Sequence, residues 1–109
     1  MHELAITEGL VDAVTERLPG QRVTCVRLEI GVRSGVVADS VRFCFDLVTE
    51  GTDLDGAALE ISQSPAVCRC RVCGGDFEPD GPLVMCPCGS AEVTVLTGQD
   101  LKITSVQVA

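Results

Sequence analysis

The chain's 109 residues predict an α+β fold, with two helices packed on a small three-stranded sheet and a cysteine-rich segment inserted before the last strand. Three observations predict it. Apolar residues recur at helical spacing in two stretches and alternate in three others. Large apolar side chains crowd the regions before residue 66 and after residue 92. The stretch between them is rich in Cys, Gly and Pro, and a segment so poor in apolar bulk needs a cross-link or a bound ion to hold its shape. Hydrophobic residues make up 46% of the chain, which predicts a packed globule. With three Phe and no Trp or Tyr, its core must be built from Val, Leu and Ile.

Residues 2–18 read as the first helix, with Leu4, Val11, Val14 and Leu18 on one stripe and Leu10 beside it. Pro19-Gly20 ends it. Residues 22–32 read as a strand, with Val26, Leu28 and Ile30 on one face and Cys25, Arg27 and Glu29 on the other. After a loop from Gly31 to Gly35, a second helix spans about 37–49. Its apolar face is Val37, Val41, Cys44, Phe45 and Val48, and Gly51 is placed to terminate it. Thr52-Asp53-Leu54-Asp55-Gly56 reads as a turn, and 57–64 as a strand with Leu59 and Ile61 inward. Residues 99–108 read as the last strand. Its apolar phase slips at Thr104-Ser105, which predicts a bulge. The domain organisation expected is residues 1–65 plus 99–109 as the α+β domain, and 66–98 as the insert.

The net charge is −8, from 16 acids against 8 bases. That argues against nucleic acid as the main partner, because phosphate binding needs a basic face. Residues 1–18 carry Glu3, Glu8, Asp12 and Glu16 instead of a basic start and an apolar run, so no signal peptide is expected. No apolar stretch is long enough to span a membrane. The chain therefore reads as cytoplasmic, where seven cysteines are metal ligands and buried thiols sooner than disulfides.

Cys70 and Cys73 have C-x-x-C spacing and are followed by Gly74. That is one half of a zinc knuckle: two sulfurs converge on one ion, and glycine permits the tight turn behind them. Cys86-Pro87-Cys88, followed by Gly89, is the second half, one residue shorter. Pro79, Asp80, Gly81 and Pro82 favour a turn that brings the halves together. Four thiolates make a closed tetrahedral site for structural Zn²⁺, with iron as the alternative for the same ligands. The insert is thus expected to be a four-cysteine, zinc-ribbon-like domain. Cys68 is a fifth candidate that could compete for the ion but ranks as a spare thiol, since Cys70 and Cys73 have the better knuckle spacing, and Cys25 and Cys44 read as small buried hydrophobes.

The chain begins Met1-His2-Glu3, and His2 is its one histidine. The α-amine, the His2 amide nitrogen and the imidazole can close two fused, coplanar chelate rings. Square-planar nitrogen donors suit Ni(II) or Cu(II), and Glu3 can supply a further donor. The amine, with an ordinary pKa near 8, must lose its proton to bind.

Met1-His2-Glu3-Leu4, the run Glu29-Ile30-Gly31, the helix text Val41-Arg42-Phe43-Cys44-Phe45-Asp46 and the late pair of knuckles together resemble the HypA/HybF hydrogenase maturation proteins, over essentially the whole chain. The resemblance implies a nickel metallochaperone that helps insert Ni²⁺ into the large subunit of [NiFe]-hydrogenase, working with a nickel-handling GTPase, HypB. It implies transient nickel at Met1 (through its amine), His2 and Glu3, and zinc at Cys70, Cys73, Cys86 and Cys88. It also suggests a carboxylate near the nickel, for which Asp39 is the nearest candidate. A homodimer is left open.

Two other classes fit the residues less well. A zinc-ribbon module for protein or nucleic-acid binding would show basic and aromatic residues at the knuckles. Only Arg69, Arg71 and Phe77 stand there, against Asp76, Glu78, Asp80 and Glu92. An enzyme would need an open metal or a nucleophile with a base, and the sequence offers no triad.

Overall fold

The structure, a computed structural model, describes residues 3–79 and 81–109. Its elements follow the expected order. Helix α1 spans Glu3–Arg17, strand β1 Val23–Gly31, helix α2 Ala38–Thr49 and strand β2 Ala58–Ser64. The cysteine segment holds three short strands that the sequence reading leaves unassigned: β3 (Val67–Cys70), β4 (Asp76–Phe77) and β5 (Val93–Thr97). Strand β6, Leu101–Val108, closes the chain. Two three-stranded sheets result, ordered β2-β1-β6 and β4-β3-β5. In the first, β1 is central; it pairs parallel with β2, α2 serving as the crossover, and antiparallel with β6.

The core lies between the helices and this first sheet. Val26, Leu28 and Ile30 of β1 are almost fully buried against Leu10, Val11 and Val14 of α1 and Val41 and Phe45 of α2. Leu59 and Ile61 of β2 pack on its margin. Burying a side chain such as Phe45 is worth roughly 1.5–3 kcal/mol. Two threonines enter the same interior without cost to their hydroxyls: Thr7 donates to the Glu3 carbonyl and Thr49 to the Phe45 carbonyl, each at 2.7 Å.

Leu4, Val37 and Leu54 depart from the expected pattern. Leu4 is 47% exposed, because the first turn of α1 lies beside the start of α2 and not over the sheet. Val37 is 55% exposed, since it is the extended N-cap residue of α2 and lies outside the helical face. Leu54, expected in a polar turn, is 1% exposed and joins the core. Its neighbour Asp53 accepts, through its backbone carbonyl, a 2.9 Å hydrogen bond from the Val23 amide, which ties that turn to the start of β1.

The bulge in β6 is present: Arg27 pairs with Ser105 and Leu28 with Ile103, so Thr104 has no opposite number. The strands leaving the first sheet are spliced tightly to the second. The Gly31 amide donates to the Asp100 carbonyl (2.8 Å), the Arg33 amide to that of Gly98 (2.8 Å) and the Val32 amide to that of Ser64 (3.0 Å). Gly98 has φ of +94°, and a Cβ on it would meet the Ala66 backbone at 2.5 Å. Only glycine fits so close a crossing. No helix among the described residues is long and apolar enough to cross a membrane.

A four-cysteine centre and an acidic cleft

β3 carries Cys70 at its end, and the chain then turns through Cys73. The Val72 and Cys73 amides both donate to the Cys70 sulfur at 3.4 Å. Gly74, at φ +77°, closes the turn with a 3.0 Å bond to the Cys70 carbonyl. The second half repeats this with one residue fewer. The Cys88 amide donates to the Cys86 sulfur at 3.5 Å, and Gly89, at φ +96°, donates to the Cys86 carbonyl at 2.8 Å. The left-handed glycines at both positions are what let the amides face the sulfurs.

These turns bring Cys70, Cys73, Cys86 and Cys88 together, with all four sulfurs within 4.8 Å of one another. Cys70 and Cys88 sulfurs are 3.7 Å apart, and those of Cys73 and Cys86 are 3.6 Å apart. A tetrahedron of sulfurs each about 2.3 Å from a zinc ion has edges of about 3.8 Å. Disulfide sulfurs would be about 2.05 Å apart. The donor set therefore fits a closed tetrathiolate metal, and the shortened second knuckle does not prevent convergence.

The thiols are not equivalent. The Cys73 amide, followed by the Val72 amide, stabilises the Cys70 thiolate against the cost of burial and lowers its pKa to about 6. At Cys86 the Cys88 amide pulls downward too. Burial and the neighbouring thiols outweigh it, and the pKa is pushed up to about 12. Of these two thiols, Cys70 is thus the one that gives up its proton readily and Cys86 the one that keeps it.

Cys68 lies outside the cluster. It is fully buried in β3, opposite Phe77 and Val95. Cys25 is buried too, on the outer face of the first sheet, and donates to the Glu60 carboxylate at 3.0 Å. Cys44 differs from its expected role as a buried hydrophobe, being only half-buried on α2.

Met1 and His2 lie outside the described residues. Glu3 does not: it opens α1 and lines a shallow cleft with Leu4, Asp39, Ser40, Phe43 and Cys44. Asp39 sits in the first turn of α2. The packing of α1 on α2 thus gathers Glu3 and Asp39, far apart in sequence, at one opening.

Fold and cysteine centre define a small α+β metal-binding protein. The family model for hydrogenase/urease nickel incorporation metallochaperone HypA matches residues 1–108. The hydrogenase maturation factor HypA of Nostoc punctiforme is 46% identical over 108 residues, covering 99% of this chain and 96% of its own. That of Geotalea uraniireducens is 44% identical over 109 residues, covering 99% of each. The solution structure of the Ni metallochaperone HypA from Helicobacter pylori superposes with a TM-score of 0.71 over 99% of this chain and 97% of its own, at 21% identity, which bears on the fold alone. The chain belongs to the HypA family, a family of metallochaperones and not of enzymes.

Proposed function

We propose that this chain carries Ni²⁺ for insertion into the large subunit of [NiFe]-hydrogenase, in the cytoplasm and together with a HypB-like nickel GTPase. The cargo ion binds the Met1 amine, His2 and Glu3, and Zn²⁺ stays at Cys70, Cys73, Cys86 and Cys88 as a structural ion. Residues 66–98 act as a separate inserted domain around that zinc, and residues 1–65 with 99–109 form the nickel-binding domain. The observation that carries this reading is membership of the HypA family over residues 1–108, a match that begins at Met1-His2-Glu3. The Glu3–Asp39 cleft supports it, since it gathers two carboxylates at one opening, an arrangement that favours a divalent cation. The reading as a nucleic-acid ribbon is weakened further, because Arg69 is held by Asp76 at 2.8 and 3.2 Å and is not free for phosphate.

The test exploits the position of the amine. Residues added before Met1 turn it into an amide, a poor donor until deprotonated, and destroy the fused rings. Nickel titration followed by visible absorption should show the planar d–d band in the native chain. The band should be lost or displaced in the extended chain and in His2→Ala, while zinc content stays full. An unchanged band in the extended chain would refute an amine-anchored site.

A further inference from the structure

The outward side of α2 is unlike an ordinary solvated helix face. Asp39, Phe43, Asp46, Leu47 and Glu50 all lie exposed at positions i, i+4, i+7, i+8 and i+11, within an arc of about 100° opposite the buried Val41, Phe45 and Val48 side. Phe43 is 67% exposed and Leu47 55%, in a chain with only three aromatic residues. Arg42, the base beside Phe43, is folded away, its guanidinium donating to the Leu59 carbonyl at 2.8 Å. Leu4, 47% exposed, extends the apolar ridge to α1 across the Glu3–Asp39 cleft, which Phe43 also lines. Exposed aromatic and aliphatic anchors set among charges of one sign are a recognition surface, not solvent-facing filler.

The charge decides what covers it. A second copy docked face to face would set Asp46 and Glu50 against the same acids, and the chain as a whole carries −8. Anionic lipid is repelled for the same reason. We propose that the Phe43–Leu47 ridge docks into an apolar pocket rimmed by lysine and arginine on a partner protein, placing that partner at the mouth of the Glu3–Asp39 cleft. This inference rests on the nickel-delivery reading above, and the HypB-like GTPase is the probe for it.

The experiment measures binding of the zinc-loaded full chain to the purified nickel GTPase of the same organism across a salt series, beside nickel titration of each chain. Leu47→Ser and Asp46→Lys are the test substitutions, since neither residue lines the cleft. Leu83→Ser, at a site 77% exposed in the cysteine segment, is the control. Leu47→Ser should weaken the complex about tenfold or more, consistent with an anchor position. Asp46→Lys should weaken it and flatten its salt dependence. The control should match the native chain, and all should load nickel alike. Equal affinity in both test variants, loss through Leu83→Ser instead, or no complex with the native chain would overturn the proposal. So would a native dimer that Leu47→Ser dissolves, which would assign the face to a second copy. Nickel loading without docking would sink this inference alone, whereas docking without terminal nickel would sink the delivery reading and leave the face assigned.

Discussion

Single residues carry the tightest constraints where backbone meets backbone. A Cβ at Gly31 would lie 2.3 Å from the Gly98 carbonyl carbon, and one at Gly98 would strike Ala66 while holding φ at +94°. The atoms met at 2.5 Å or less are backbone and not the far end of a flexible side chain, and Gly98 is itself held by the Arg33 amide. Gly98→Ala should therefore destabilise the protein by about 2–4 kcal/mol through left-handed strain and overpacking. Gly9 is the counterexample: it lies inside α1 with nothing within 4 Å of its would-be Cβ. There the glycine only costs helix stability, so Gly9→Ala should stabilise by about 0.5–1 kcal/mol. Thermal unfolding of the two variants should move in opposite directions, and a shared direction would contradict the contacts described.

Among the elements, the knuckles show how spacing becomes geometry. Each half needs an amide two residues after its first cysteine and a left-handed glycine directly after its second, and both halves supply them despite unequal length. Cys68, two residues before Cys70, has its own pairing in β3 and is turned into the strand interior. Cys73→Ser or Cys86→Ser should then abolish bound metal, as measured by elemental analysis. Cys68→Ser should retain it while lowering stability modestly through a buried hydroxyl. Metal lost from Cys68→Ser and kept in Cys86→Ser would reassign the ligands. At the level of the first sheet, the bulge at Thr104 re-phases β6 so that Leu101 and Val106 both pack against the core, and Thr104 donates to the Arg27 carbonyl at 3.3 Å.

For the whole molecule, the two sheets rely on different stabilisers. Among the described residues, the first is closed by ten buried hydrophobic residues, none of them from the cysteine segment. Among the same residues, the second has few buried side chains beyond its cysteines and Ala66. Chelation should consequently leave the far-UV helical signal largely intact while amides of 67–97 lose exchange protection, and loss of all protection would show the core to depend on the metal. Once metal is removed, pH acts on the second sheet with a definite sign. Cys70, lowered from 9.0 to about 6, gives stability that rises with pH between those values and is lost as pH falls through the lower one. Cys86, raised from 9.0 to about 12, gives stability that is lost as pH rises above 9.0. The metal-free segment should be most protected near pH 9, where the same two thiols in the unfolded chain are half ionised. The chain is also long, 52 Å by 21 and 18 Å, and the Arg33 guanidinium bonded to the Gly81 carbonyl ties the loop after β1 to the cysteine segment.

Local order was legible without coordinates because local order is short-range physics. Alternation marked β1, helical spacing marked α1 and α2, the phase slip at Thr104 marked the bulge, and Cys-x-x-Cys-Gly marked a turn that aims two sulfurs at one point. The order of elements and the α+β class follow from those patterns alone. Contacts between distant segments were not written in any window of sequence. The strand order β2-β1-β6 depends on which edges the helices leave open. Leu54 looked like turn material because its neighbours are polar, yet Val23 and the core reach out to cover it. The three strands around the knuckles are too short and too poor in apolar residues to announce themselves, and exist through pairing with one another. Helical spacing sets Phe45 on the apolar face and leaves Phe43 off it, and α2 does turn only Phe45 to the sheet. The opening shared by Glu3 and Asp39, by contrast, comes from how α1 lies on α2, a matter of packing that periodicity does not record.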